Sequence, residues 1–298
     1  MVKITFLGTA DAIPSEKRNH TAILLTYQGE NILVDCGEGT QRQMRKAGIN
    51  PCKLTRVLIT HWHGDHVLGI SGLLQTLALS GYNKTLSIYG PRGTKKFIKA
   101  IFKTFAFKEK LKFGVKEVIG EFLNTEYFIL EASAMNHGIP CNAYSFTLKD
   151  KIRIDKNKLE KFKISPGPML QKLKQGKDIV SNGKTYSVSQ LTYREKRKKI
   201  SFVFDTAYDK KIASFVKDSD LLICESTFSS EEEDKAREFK HLTSKQAADI
   251  AKQSKSKHLI ITHISQRYSK NAEEILNQVK KSFKNSSLAE DFDSFNLS

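Results

Sequence analysis

An apolar run leads directly into a cluster of histidines at residues 57–66, which read Val57-Leu58-Ile59-Thr60-His61-Trp62-His63-Gly64-Asp65-His66. The first four residues have the length and composition of a buried strand. Three imidazoles and a carboxylate within six residues are costly to pack together unless they share a cation. Imidazole and carboxylate are natural zinc ligands, and these spacings let one loop direct several donors at a common centre. The alternative is a solvated, histidine-rich turn.

Ligand-type residues also follow three other apolar runs. His137 lies a few residues beyond one predicted strand, Asp205 follows Ser201–Phe204, and His263 follows Leu259–Thr262. The ends of neighbouring strands are positions from which side chains converge on one site, although each residue alone could be a surface or capping residue. With the cluster they make seven donors, the number that suits two metal ions sharing a carboxylate and a bridging water. Such a pair is typical of phosphodiester hydrolysis, because it activates the water and neutralises phosphate charge.

The 298 residues, 39% of them hydrophobic, suffice for one large globular domain or two ordinary ones. No stretch approaches the ~20 apolar residues of a membrane span, and the first residues alternate like a strand instead of a signal peptide. We therefore expect a cytoplasmic protein with no membrane partner. Four cysteines without a Cys-x-x-Cys pair predict neither a zinc ribbon nor a disulfide framework, and we expect reduced thiols.

The positive charge is large and unevenly distributed. The net charge is +17, and residues 151–199 hold 15 Lys or Arg against four Asp or Glu, which places +11 of it in one segment. Such an excess attracts phosphate backbones. Residues 149–199, here called the basic insert, have few apolar runs and contain Ser165-Pro166-Gly167-Pro168, so we predict an extended arm bent at Gly167-Pro168, with a disordered insertion as the alternative. Residues 285–298, here called the C-terminal tail, are predicted to be disordered.

Outside these two segments, short apolar runs alternate with helical periodicity. This pattern predicts a layered α/β protein instead of a single parallel sheet, and it leaves the strand order open. The predicted strands are Ile4–Leu7, Ala22–Tyr27, Ile32–Asp35, Val57–Thr60, Leu86–Tyr89, Tyr127–Ala132, Tyr144–Leu148, Ile200–Phe204, Leu221–Cys224 and Leu259–Thr262, and the predicted helices are Gly39–Lys46, Val67–Leu79, Thr94–Phe105, Asp209–Val216, Thr243–Gln253 and Ala272–Phe283.

The histidine cluster resembles the His-x-His-x-Asp-His motif of the metallo-β-lactamase superfamily, and the chain is most similar within it to the ribonuclease Z family. The resemblance runs from Phe6 to His263 and rests on specific motifs: the loop Pro14–Asn19 and the segments Asp35–Gln41, Cys224–Phe228 and His241–Thr243. It implies an α/β fold, the metallo-β-lactamase αβ/βα four-layer sandwich with an inserted flexible arm. We expect residues 1–284 to form this single domain, with residues 149–199 as the inserted tRNA-binding arm.

The resemblance also implies an activity and a cofactor. It implies a zinc-dependent endoribonuclease that removes the 3′ trailer from precursor tRNA by attack of a metal hydroxide, leaving a 3′ hydroxyl on the tRNA and a 5′ phosphate on the trailer. Two Zn²⁺ ions per subunit are expected, with the ligands assigned by the family pattern. One ion is assigned to His61, His63 and His137, the other to Asp65, His66 and His263, and Asp205 is assigned to bridge them.

Three residues are assigned proton-transfer roles by the resemblance. Asp65 is expected to be the general base, and His241, helped by Glu225, the general acid that protonates the leaving ribose oxygen. From the sequence alone, the simpler interpretation is that His241 merely precedes a helix and that Glu225 is a solvated carboxylate at a strand end. The family pattern further implies a homodimer in which the arm of one subunit clamps the tRNA that the other cuts.

Two other functions remain open at this point. Another hydrolase of the superfamily, such as a phosphodiesterase acting on a small substrate, would use the same ligands but would not need the basic insert. A non-catalytic RNA-binding protein with the same fold is the third possibility, and the complete ligand set argues against it.

Overall fold

In the computed structural model, which describes residues 1–105 and 111–297, the apolar runs form two seven-stranded β-sheets. Strands of these sheets are buried on both faces. In the second strand of the chain, for example, Ile23 and Leu25 belong to one apolar cluster while Ala22 and Leu24 belong to another. Because successive side chains of a strand point to opposite faces, each sheet packs against a layer on either side.

The strands are β1 (Val2–Gly8), β2 (Ala22–Tyr27), β3 (Glu30–Val34), β4 (Arg56–Leu58), β5 (Leu86–Gly90), β6 (Phe113–Glu117), β7 (Gly120–Asn124), β8 (Phe128–Asn136), β9 (Pro140–Leu148), β10 (Lys151–Ile154), β11 (Ile179–Ser181), β12 (Lys184–Tyr186), β13 (Thr192–Glu195), β14 (Lys198–Val203), β15 (Leu221–Glu225), β16 (Leu259–Thr262), β17 (Ser286–Leu288) and β18 (Ser294–Leu297). The helices are α1 (Thr40–Lys46), α2 (Gly64–Val67), α3 (Gly69–Leu79), α4 (Thr94–Thr104), α5 (Lys156–Lys161), α6 (Leu170–Lys174), α7 (Val188–Leu191), α8 (Lys210–Phe215), α9 (Glu233–Phe239), α10 (Ser244–Gln253) and α11 (Ala272–Ser282).

Both large sheets mix parallel and antiparallel pairing. The first has the order β18-β1-β2-β3-β4-β5-β6 and the second β17-β16-β15-β14-β9-β8-β7. Pairing is parallel from β3 to β6 and from β14 to β17, and antiparallel elsewhere in the two sheets. The prediction of a layered protein instead of a single parallel sheet is confirmed.

Three apolar clusters separate four layers. The first lies between the two sheets and includes the fully buried Tyr144, Phe146 and Phe202. The second joins the first sheet to α1, α3 and α4, and the third joins the second sheet to α8, α10 and α11. Burying one large apolar side chain stabilises a fold by roughly 1.5–3 kcal/mol, so the shared cluster ties the two halves of the chain firmly together.

Most predicted elements match the observed ones to within a few residues, and the predicted helix Val67–Leu79 is observed as α3, which begins two residues later at Gly69. The short helix α2 precedes it, and the two meet at Leu68. A Cβ atom on Gly69 would lie 2.0 Å from the carbonyl oxygen of Gly37, so α3 approaches the chain after β3 as closely as only glycine allows. This contact fixes the histidine loop against the first sheet.

The basic insert is a folded unit, which corrects the prediction of an extended arm bent at Gly167-Pro168. Strands β10 and β13 pair as its stem, and Ser165–Pro168 is an exposed turn before α6. The insert has its own apolar core, made of Leu159, Ile164, Leu170, Leu173, Ile179, Tyr186 and Leu191. The prediction was wrong because these side chains are scattered among lysines and converge only in three dimensions.

The C-terminal tail is ordered over residues 285–297, which corrects the prediction of disorder; Ser298 lies outside the described residues. Strand β17 pairs with β16 at the edge of the second sheet, and β18 pairs with β1 at the edge of the first. Between them, half-buried Asp291 accepts hydrogen bonds from Thr9 Oγ1 at 2.8 Å, the Asn19 amide at 2.8 Å and Gln43 Nε2 at 2.9 Å. The acidic composition suggested a solvated tail, but these carboxylate contacts and the strand pairing order it.

Two further expectations concern cysteines and membranes. All four cysteines are free thiols, as predicted, and Cys36, Cys141 and Cys224 are buried. Within the part of the chain that the structure describes, no helix combines the length and apolar character needed to cross a membrane.

Candidate metal centre

The structure brings all seven predicted metal donors together. They form two groups, and within each group the donor atoms lie within 4.8 Å of one another: His61, His63, His137 and Asp205, and Asp65, His66, Asp205 and His263. Asp205 belongs to both. A third group adjoins them and contains Glu225, His241 and His263, so every residue with a predicted role lies at one site.

Strand pairing explains why residues so distant in sequence meet. Strands β14, β15 and β16 are parallel neighbours, and Asp205, Glu225 and His263 stand at or just beyond their carboxyl ends. His61 lies just beyond β4 of the first sheet, and His137 lies in the short connection between the antiparallel strands β8 and β9 of the second sheet. The carboxyl ends of adjacent parallel strands lie at the same edge of a sheet, which is where sites form in α/β proteins.

Hydrogen bonds fix the tautomer of His61. The Thr60 hydroxyl donates to Asp35 Oδ2 at 2.7 Å, so its oxygen can only accept from Nδ1 of His61, 3.1 Å away. Burial holds the pKa of His61 well below its ordinary value, so the ring is neutral and its Nε2 carries a lone pair. Nε2 is buried without a hydrogen-bond partner and faces Asp205 Oδ2 at 3.4 Å. A cation between these two electron-rich atoms would satisfy both of them.

The same arrangement recurs at His66 and His137. Nδ1 of His66 donates to Asp35 Oδ2 at 2.7 Å, and Nδ1 of His137 donates to the carbonyl oxygen of Lys240 at 2.9 Å. Each ring therefore directs Nε2 inward, at 3.4 Å and 3.5 Å from Asp205 Oδ2. An outer acceptor that orients a histidine by its second ring nitrogen is typical of metal ligands.

His263 is oriented through a threonine. The Thr227 hydroxyl donates to Glu225 Oε2 at 2.5 Å and can only accept from Nδ1 of His263 at 2.9 Å. Nε2 of His263 then faces Asp65 Oδ2 at 3.3 Å and Asp205 Oδ1 at 3.2 Å. Four buried or nearly buried imidazoles thus present the same nitrogen to two carboxylates.

The donor set fits metal binding. Nitrogen and carboxylate oxygen atoms at these positions suit a borderline cation such as zinc. The local charge is also suitable: burial acts to lower the pKa of His66, but the carboxylates of Asp205, Asp65 and Asp35 outweigh it and raise that pKa well above its ordinary value. The site therefore attracts positive charge, as a metal centre must.

His241 and Glu225 form a pair beside the donors. His241 Nδ1 lies 3.1 Å from Glu225 Oε2, and the other oxygen of this buried carboxylate accepts from the Thr206 amide at 2.8 Å. Burial acts to lower the pKa of His241, but the carboxylates of Glu225 and Asp205 outweigh it and raise the pKa to about 9. These carboxylates favour the protonated imidazole of His241, which is anchored at Nδ1 by Glu225 and lines the cleft.

The donors open into a cleft of about 660 Å³. His63, Asp65, His137, Asp205, His241 and His263 all contribute to its floor and walls. The rest of the lining comes from the N-terminal loop, from the segment around Phe228 and Phe239, and from Arg267 near the chain after β16. A space of this size admits a nucleotide and its neighbours to the donor atoms.

Three residues of the site have a strained backbone. Asp35, Asp205 and His263 have φ angles of 58°, 36° and 57°, in the left-handed region that most side chains avoid. Each stands one or two residues beyond a parallel strand. The sharp change of direction there turns the side chain into the site, and strain of this kind typically accompanies function.

Comparison with known proteins identifies the family. The Ribonuclease Z of Prochlorococcus marinus (strain MIT 9301) is 41% identical over 309 residues, which cover 98% of this chain and 98% of that protein. The chain belongs to the ribonuclease Z family. A second member, the Ribonuclease Z of Nanoarchaeum equitans, is 38% identical over 265 residues, which cover 89% of this chain and 84% of that protein. This membership makes the chain a hydrolase of the endoribonuclease class.

Solved structures agree with the ribonuclease Z assignment. The short form of human tRNase Z matches with a TM-score of 0.73 and 27% identity, over 99% of this chain and 98% of that one. YhfI from Bacillus subtilis, described as a metallo-β-lactamase fold protein, has a TM-score of 0.71 at 20% identity over 99% and 98% of the two chains, which shows the fold alone. The predicted metallo-β-lactamase fold is confirmed. A family model described as Anti-Pycsar protein Apyc1 also matches residues 2–275, so the chain belongs to that family as well.

Sequence reasoning missed the residues that orient the candidate metal donors. Asp35 could have been found, because it is a carboxylate directly following an apolar strand, the same signal that singled out Asp205 and His263. Thr60 and Thr227 carry no such signal, since threonine beside a strand is common. Their roles become visible only when the hydrogen bonds of the folded site are followed.

Proposed function

We propose that this chain removes the 3′ trailer from precursor tRNA, leaving a 3′ hydroxyl on the tRNA and a 5′ phosphate on the trailer. The observation that carries the proposal is full-length similarity to proteins named Ribonuclease Z, at 41% identity over 98% of both chains in the Prochlorococcus protein. The similarity of the fold to human tRNase Z supports tRNA as the substrate. The cleft and the basic insert supply the two surfaces that such a substrate requires.

Two Zn²⁺ ions fit the donor set. We assign His61, His63 and His137 to one ion, and Asp65, His66 and His263 to the other, with Asp205 between them. When bound, such a pair would supply an acidified water and positive charge for the phosphate at neutral pH. Elemental analysis of purified protein tests the assignment. Two zinc ions per chain are expected, and a His61→Ala, Asp205→Ala double variant should retain less than one.

Asp65 and His241 are assigned the proton transfers. The Asp65 carboxylate lines the cleft, with Oδ2 3.3 Å from Nε2 of both His66 and His263, and accepts the proton of the attacking water. His241, held at Nδ1 by Glu225, donates a proton from its other nitrogen to the departing 3′ oxygen. Glu225 keeps the imidazole charged and oriented, as a buried carboxylate partner does.

The basic insert is assigned the remote part of the tRNA. Its exposed lysines include Lys156, Lys161, Lys172, Lys174 and Lys177. Lysines bind backbone phosphates without reading bases, so recognition should follow tRNA shape and weaken as salt rises. We further propose a homodimer in which the insert of one subunit holds the tRNA cut by the other, and cytoplasmic action, where free buried thiols persist.

Cleavage of a precursor tRNA with a short trailer tests the function. A single cut next to the discriminator base, with the stated end groups, is expected. His241→Ala should slow that cut while zinc content stays unchanged, because His241 is not among the assigned ligands. Absence of a discrete cut would refute the proposal.

Mixing two inactive variants tests the dimer. A subunit lacking the insert and a His241→Ala subunit should together recover activity, because the heterodimer pairs an intact insert with an intact cleft. No recovery from demonstrated heterodimers would show that each insert serves its own cleft.

A phosphodiesterase acting on a small substrate is the second candidate. Residues 2–275 also match a family model described as Anti-Pycsar protein Apyc1, so the family assignment is not limited to ribonuclease Z. The same donors and His241 would serve such a reaction, but the insert would have no part in it. Rapid turnover of a small phosphodiester together with failure to cut precursor tRNA would decide for this candidate.

A further inference from the structure

An exposed aromatic ring stands in the wall of the cleft beside the candidate metal centre. Phe239 is the last residue of α9 and is 56% exposed, an unusual position for a large apolar side chain in a polar site. It lines the same cleft as Asp65 and His241. Nothing in the proposed proton transfers uses it.

The ring of Phe239 packs against a second aromatic ring. It stacks on the buried Phe228, with ring centroids 6.3 Å apart and planes at 17°. The guanidinium of Arg267 lies 5.2 Å from the centre of the Phe228 ring and is held by Glu232 at 3.0 Å. Phe228 is itself only 6.0 Å from the His241 ring. Phe239 is thus the outer member of an aromatic stack that begins next to the proton donor.

The backbone fixes this ring relative to the reaction centre. The residue after Phe239 is Lys240, which has a φ of 55° and whose carbonyl oxygen accepts from Nδ1 of His137 at 2.9 Å. The next amide, that of His241, donates to the carbonyl oxygen of Ala236 at 2.8 Å. Phe239 therefore has a set distance from both the donors and His241.

We propose that Phe239 is a base-stacking subsite, which receives one of the two nucleobases that flank the scissile phosphate. Every nucleobase has an apolar face that stacks on aromatic rings regardless of sequence. This suits an enzyme whose other RNA contacts are phosphates, because stacking would hold the scissile nucleotide in place without restricting the trailer sequence. Arg267, 43% exposed, stands nearby to meet the adjoining backbone phosphate.

The proposal rests on the proposed function and is tested on precursor tRNA carrying an abasic nucleotide on either side of the cut. On the intact precursor, Phe239→Leu, which keeps an apolar side chain but removes the ring, should lower kcat/KM about tenfold, mainly through KM. Phe239→Tyr should restore it. On one of the two abasic substrates the wild-type and Phe239→Leu proteins should cut at equal rates, because the stacking partner is already absent.

Controls separate the subsite from general damage. Ile119→Ala, which removes a 60%-exposed apolar side chain outside this cleft, should leave kcat/KM unchanged. Hydrolysis of a small aryl phosphodiester should be the same for wild-type and Phe239→Leu proteins. The subsite is overturned if Phe239→Leu cuts intact precursor like wild type, or if its defect persists on both abasic substrates. If the wild-type protein fails to cut intact precursor, the proposed function itself fails.

Discussion

The basic insert and the C-terminal tail differ in how their backbone hydrogen bonds are satisfied. The insert closes on itself: β10 pairs with β13, β11 pairs with β12, and seven apolar side chains form its private core. The tail has no core of its own, yet β17 and β18 extend both large sheets. Both segments are charged and poor in apolar runs, so composition does not distinguish an appendage from an integral element. They are distinguished by strand pairing, because the strands of the insert pair with one another and those of the tail pair with the two large sheets.

Removing the tail should have the largest effect. A chain ending at Asn285 lacks two edge strands, the buried Ala289 and the hydrogen bonds of Asp291, so we expect the free energy of unfolding to fall by more than about 4 kcal/mol. Denaturant unfolding measures this, and catalytic activity should disappear with the fold. If the truncated chain unfolds at the same denaturant concentration as the wild type, the tail is dispensable for the fold and this prediction is wrong.

Removing the insert should leave the fold intact but impair tRNA processing. Leu148 of β9 pairs with Lys198 of β14, so deletion of residues 151–195 leaves a four-residue hairpin turn between paired strands. Precursor tRNA cleavage should fall on the order of a hundredfold or more, because the deletion removes many of the lysines that would bind phosphates. Hydrolysis of a small phosphodiester should change little. If the rates on both substrates decrease equally, the insert is an integral part of the two-sheet fold.

A single carboxylate in the tail should reproduce part of the truncation. In Asp291→Asn, an amide replaces either Oδ1, which accepts from Thr9, or Oδ2, which accepts from Asn19 and Gln43, so at least one donor loses its partner. We expect the free energy of unfolding to fall by about 1–3 kcal/mol. Glu290→Gln, whose side chain is 74% exposed, is the matched control and should change it by less than about 0.5 kcal/mol. Equal effects of the two variants would mean that Asp291 anchors nothing.

The smallest effect concerns the charge of the insert. Replacing Lys172, Lys174 and Lys177 by alanine removes exposed ammonium groups without touching the core of the insert, so stability should stay within about 0.5 kcal/mol. Plots of log kcat/KM against log salt should become shallower by about 0.7–0.9 for each lysine that pairs with a phosphate in the wild-type complex. An unchanged slope would mean that these lysines face away from the RNA.

The sequence alone predicted the elements with strong local periodicity, and strong local signals singled out donor-type residues that the structure groups together. The six helices predicted outside the insert, together with the histidine cluster and Asp205, are examples, because each depends on residues close in sequence or on a polar residue after an apolar run. The donor groups themselves lie where the prediction brought them, although their occupancy by two zinc ions stays a proposal.

The features that the sequence did not predict depend on contacts between distant residues. A three-residue strand such as β17 has no periodicity to read, and it exists because β16 offers an unpaired edge. Asp291 reads as one acid in an acidic tail, since its partners Thr9, Asn19 and Gln43 are more than 240 residues away. Leu159 and Leu191 lie 32 residues apart, with lysines between them, before they meet in one core.

The left-handed backbone at Asp35, Asp205 and His263 restricts what evolution can place there. Only glycine and a few short polar or imidazole side chains, chiefly asparagine, aspartate and histidine, adopt that conformation with modest cost. Glycine brings no donor atom, so geometry and chemistry independently select the same small group of residues. A substitution at these positions must therefore satisfy both the backbone conformation and the need for a donor atom. A protein that lost the reaction would still have a conformational reason to retain aspartate, asparagine or histidine there.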